Sequence, residues 1–68
     1  MNKFKEILDK NRWFSKIVED ELKVRRQTIY NYKAWITKPD FYKAKNIYEL
    51  LLDYKLIDKN THIEELFG

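Results

Sequence analysis

The stretch KVRRQTIYNYKAW, residues 23–35, sets two adjacent arginines, Gln27 and Thr28 ahead of Ile29, and then alternates tyrosines with polar residues. Ile29 and Tyr32 stand three apart, the spacing at which side chains share one helix face. The stretch therefore reads as a helix from Arg26 to about Trp35. Its inner side carries Ile29 and Tyr32, and its outer side Arg26, Gln27, Tyr30 and Asn31. Before it, Trp13, Phe14, Ile17, Val18 and Leu22 recur at helical spacing and mark another helix. Only Lys23, Val24 and Arg25 lie between the two, with an apolar residue in the middle.

So short a link between two helices is the tight αα connection of a helix-turn-helix, whose second helix projects its outer face. Around this pair the same periodicity predicts three more helices. Phe4, Ile7 and Leu8 mark a first one, with Asn2 as a candidate N-cap and Asn11 as a candidate cap for the helix that follows. Pro39 forbids continuation of the third helix. Asp40 is placed to cap a fourth, Phe41 to Tyr54, with apolar positions Ala44, Ile47, Tyr48, Leu51 and Tyr54. Thr61-His62-Ile63-Glu64 has the form of a capping box and starts a last turn or two through Leu66 and Phe67. One glycine, one proline and no Asn-Gly pair leave little to build hairpins from. The expected architecture is all-α, a bundle of about five short helices in a single domain spanning residues 1–68.

Charge is distributed unevenly along this chain. Between Lys23 and Lys45, seven basic residues face one acid, Asp40, so the segment carries +6 while the remainder carries −3. Such asymmetry suggests a polyanionic partner. Cysteine is absent and His62 is the only histidine, which leaves no disulfide, thiolate centre or histidine-built zinc site. No Gly-rich loop, metal-ligand spacing or carboxylate pair rises above background, so the reading is of a non-enzyme with no catalytic residues, metal or cofactor. Met1 to Lys10 carries charges throughout, unlike a secretory leader. Leu50-Leu51-Leu52 is far too short to span a bilayer. A cytoplasmic domain with no membrane partner is expected.

The outer residues of the third helix suit the edges of double-stranded DNA. Arginine can fork onto O6 and N7 of guanine, glutamine or asparagine onto N6 and N7 of adenine, and tyrosine can touch a thymine methyl or a phosphate. Arg25, Lys33 and Lys38 flank that face, where they could meet phosphates and fix the register. The segment LKVRRQTIYNYKAWITKPDFYKAKNIYELL, residues 22–51, resembles the Cro/cI (Xre-type) helix-turn-helix domains. Leu22, Val24, Arg26, Gln27, Thr28, Ile29, Tyr32, Lys38, Pro39, Ala44 and Ile47 match that pattern in type and order, and Ile63 to Phe67 is similar to its usual last helix.

The resemblance implies that Arg26, Gln27 and Asn31 hold base-contacting positions. It implies that Thr28 holds one that meets the backbone or an adjacent base. Four positions depart from the pattern. Lys23 stands for the turn glycine, Arg25 for a capping serine, Glu19 for a small alanine and Trp35 for a helix-ending glycine. A positive φ at Lys23 would cost on the order of 1 kcal/mol, and the missing cap about as much again.

Two functions follow as expectations. One is a transcriptional regulator, such as a repressor, that lays residues 26–35 in the major groove of duplex DNA and works as a homodimer on two half-sites. The other is a protein-binding modulator or antirepressor that seizes a repressor protein, as small phage and mobile-element switch proteins of this fold do. Trp35, Leu50, Leu52 and Phe67 are the residues expected to supply a protein interface.

Overall fold

Apolar residues recurring once per turn give each segment one face to bury, and the chain uses five such faces. The computed structural model describes residues 3–67. They form α1 Lys3–Lys10, α2 Arg12–Leu22, α3 Arg26–Lys33, α4 Phe41–Asp53 and α5 Ile63–Phe67, with no strand among them. Asn2, the candidate cap for α1, lies outside the described residues.

Every helix contributes to one core: Phe4, Ile7 and Leu8 from α1, Phe14 and Val18 from α2, Ile29 and Tyr32 from α3, Ile47 and Leu51 from α4, Leu66 and Phe67 from α5. α1 packs on α2, α3 and α5, α2 packs on α3 and α4, and α4 packs on α5. Phe67 is central, its ring 5.1 Å from Phe4 and 6.4 Å from Tyr32. Full burial of a ring of this size stabilises by about 1.5–3 kcal/mol. A residue expected at a protein interface is thus a core residue, because the short α5 holds its place by burying Leu66 and Phe67. Burial also pushes the Tyr32 phenol above its ordinary pKa, with the charge of Asp40 adding to the effect.

Helices α2, α3 and α4 stop by related means. Lys23, Trp35 and Lys55 adopt left-handed backbone, with φ of 55°, 62° and 59°. In each case the next residue's N–H reaches back five residues: Val24 to Glu19, Ile36 to Asn31 and Leu56 to Leu51, at 2.9–3.1 Å. These bonds satisfy carbonyls that a helix end would otherwise leave orphaned. The expected end of the third helix near Trp35 is therefore too late. The helix closes at Lys33, because Trp35 turns left-handed without a glycine to announce it.

Two of the expected caps are also used differently. Asn11 stands at the N-cap of α2 with no side-chain bond into that helix. Its Nδ2 donates instead to the Ile7 carbonyl at 2.9 Å and closes α1. Thr61 makes no capping box, since α5 begins at Ile63. Its buried hydroxyl donates to Asp58 Oδ1, and its carbonyl accepts from the Tyr48 hydroxyl at 2.7 Å, which ties the last connection to α4. Asp40 caps α4 as expected, accepting from the Lys43 N–H at 2.9 Å.

Candidate functional site

The left-handed turn at Lys23 bends the chain so that only three residues separate α2 from α3, with half-buried Val24 packed against the core. Ile29 and Tyr32 pin the inner side of α3. Its opposite side is then fixed by geometry: Arg26, Gln27 and Tyr30 are exposed, and Asn31 and Thr28 half-buried. Gln27 Nε2 donates to Asn31 Oδ1 at 3.0 Å. This bond restrains both amides and leaves Gln27 Oε1 as an acceptor beside Asn31 Nδ2 as a donor. Together they present the complement of a group pairing a donor with an acceptor, as the adenine edge does.

The N-terminus of α3 is electrostatically unusual. Arg25 is its N-cap residue with no side-chain bond, and the first turn holds no acid. Two arginines thus add to the partial positive charge of an uncapped helix end, an arrangement that a bound anion relieves. The cost anticipated for Arg25 in place of a capping serine is accordingly present.

Beside this face lies an open cleft of about 780 Å³, walled by α1, α2 and α3. Arg12 and Lys16 of α2 line it with Arg26, Gln27, Tyr30 and Lys33 of α3. Sequence reasoning missed Arg12 and Lys16, because they lie on α2, outside the basic segment, and only the packing of α2 on α3 brings them alongside. Glu19, anticipated as a misfit under α3, is half-buried and lines the same cleft.

Lys33 has a role inside the fold as well as beside the face. Its Nζ lies 2.8 Å from Asp9 Oδ1, while Lys5 holds the other oxygen at 2.7 Å. The bond from Lys33, with that from Lys5 second, holds the Asp9 carboxyl at a pKa of about 2, well below its ordinary 3.8. A polyanion that recruited Lys33 would have to draw it from this pair. Arg25 and Lys38 are exposed at either end of the region.

The four residues expected at a protein interface do not share one exposed surface. Phe67 is buried, and Leu50 is half-buried against the core on the α2–α4 side, near Glu21, Glu49 and Asp53. Leu52 is half-buried too. Their places off the main stripe of α4 suggested exposure, and neighbouring elements cover them in part. Trp35 alone of the four stays exposed, at 52%.

Of the five tyrosines read as core and rim, Tyr32 is buried and Tyr48 half-buried, while Tyr30, Tyr42 and Tyr54 are exposed. Tyr54 and the exposed Trp13 shield one another, their rings 6.0 Å apart.

No protein-family model, curated protein or solved structure matches this chain. Among the described residues, no helix is long and apolar enough to cross a membrane.

Proposed function

We propose that this chain is a sequence-specific reader of double-stranded DNA and serves as a transcriptional regulator, with α2 and α3 acting as a helix-turn-helix. The observation that carries the reading is the pairing of two features on one short helix. An uncapped, doubly cationic N-terminus, suited to phosphate, adjoins an outward row of Arg26, Gln27, Tyr30 and Asn31, suited to base edges. Arg12 and Lys16 face α3 across the cleft from α2, beside Asp9 and Glu19, with Lys16 paired to Asp20 at 3.4 Å.

In this reading α3 lies in the major groove. Arg26 forks onto a guanine, and the Gln27–Asn31 amide pair meets an adenine. Tyr30 touches a thymine methyl or a phosphate. Arg25, Thr28 and Lys38 hold phosphates and set the register, and Lys33 joins them by leaving Asp9. One eight-residue helix spans few base pairs, so a full operator takes two copies on half-sites about one helical turn apart.

The test is fluorescence anisotropy on duplexes from around the gene, titrated across a salt series. Expected is sequence-selective binding that weakens steeply with salt. Arg26→Ala should lose about 1–3 kcal/mol and relax discrimination at a single base position. Equal, weak binding to random duplexes, or unchanged discrimination in that variant, overturns the assignment.

A further inference from the structure

Four large apolar side chains lie exposed within the eight residues that lead from α3 into α4. Trp35 is 52% exposed, Ile36 63%, Phe41 71% and Tyr42 78%. α3 packs on α1 and α2, whereas α4 packs on α2 and α5. The connection thus joins two helices that both pack on α2 but not on one another, and these apolar residues stay in water. Trp35 moreover holds the left-handed backbone at φ 62°, where glycine would be less costly. Four exposed apolar side chains this close together mark a surface with a use.

We propose that residues 35–45 dock an acidic, apolar-anchored segment of a partner protein. Apolar anchors ringed by charge are the composition of interface hot spots. The ring here is cationic, with Lys38, Lys43 and Lys45 against Asp40 alone. Lys43 makes only a long pair with Asp40, at 3.9 Å, and among the described residues Lys38 and Lys45 form no ion pair. The charge selects the occupant. A second copy meeting this patch through a two-fold axis would set net +2 against net +2, whereas acidic residues would complement it. Nucleic acid is the poorer match, because Phe41 and Ile36 offer a phosphate nothing and Ile36 has no ring on which a base could stack. The surface does not depend on α3 reading DNA.

The experiment is a ¹⁵N correlation spectrum of the full chain, titrated with a panel of synthetic amphipathic helices. Each carries Leu, Phe or Trp on one face and Glu and Asp elsewhere, and each has a counterpart with Lys in place of the acids. The acidic helices should give saturable shifts at the Trp35 indole and at residues 36–43, leaving Trp13 unmoved. The lysine counterparts should give none. The triple variant Ile36→Ser/Phe41→Ser/Tyr42→Ser should keep its thermal midpoint and lose at least about tenfold in affinity. Absence of saturable shifts up to about 1 mM of every acidic helix overturns the proposal. So does equal binding of the lysine helices. Concentration-dependent shifts of the same residues without peptide would reassign the patch to a second copy, and tighter binding of an oligonucleotide there would reassign it to nucleic acid. Lys38 is shared with the reading of α3, so a duplex that shifts α3 and Lys38 but not the Trp35 indole, Ile36, Phe41 or Tyr42 leaves the docking proposal standing and supports the reading of α3 separately.

Discussion

The connections on either side of α3 begin alike and end differently. Each opens on a left-handed non-glycine residue, Lys23 or Trp35, and each returns the following N–H to a carbonyl five residues back. After Lys23 the next side chain, Val24, packs on the core and α3 starts at once. After Trp35 the next side chain, Ile36, stays mostly in water, and five residues pass before α4. The backbone device is therefore local and indifferent to its surroundings. Whether it builds a wall of the core or a free surface depends on whether a helix stands ready to cover the residue that follows.

The contrast is largest for one residue type placed in both settings. Phe67→Ala removes a buried ring with two ring neighbours and should cost about 3–5 kcal/mol. Phe41→Ala should stay within about 0.5 kcal/mol. Urea midpoints for the two variants check this, and a large cost at Phe41 would show the connection to be part of the core. Next in size, Val24→Ala should lose about 1 kcal/mol and Ile36→Ala much less. Equal losses would erase the distinction between the connections.

Lys23→Gly and Trp35→Gly should each stabilise by about 0.5–1 kcal/mol, since both relieve the left-handed penalty beyond what glycine adds in unfolded-state entropy. Differential scanning calorimetry would record it as a raised Tm. A gain at Lys23 without one at Trp35 would mean that the tryptophan makes contacts that offset its strain.

The smallest effect is electrostatic. Asp9 titrates at about 2 in the folded protein against an ordinary 3.8, a lowered pKa. Its contribution is therefore fully present above about pH 4 and disappears as pH falls towards 2. Urea midpoints of the native protein and of Asp9→Asn should differ at pH 5 and draw together as pH falls through 2. A constant gap across that window would remove the Lys33 clasp from the account.

The sequence carried the helices well and their ends poorly, for one physical reason. Burial has a period, so Phe4, Phe14, Val18, Ile29, Ile47 and Leu51 declared their faces by spacing alone. Helix ends depend on single residues whose signals were missing or ambiguous. Trp35 ends α3 without a glycine, Asn11 caps the helix before it instead of the one after it, and Thr61 bonds Asp58 instead of α5. The outward row of α3 was readable because one helix carries it all. Arg12 and Lys16, and the capture of Lys33 by Asp9, depend on how one helix packs on another, which spacing along a single helix does not encode.

The packing of α5 against α1 bears on how far the chain can be shortened. Five residues are too few to hold a helix alone, yet Leu66 and Phe67 complete the core around Phe4 and Tyr32. Four helices without α5 have no finished interior. Loss of α5 therefore should not leave a smaller stable bundle, because the apolar surface of Phe4 and Tyr32 that it covers would return to water.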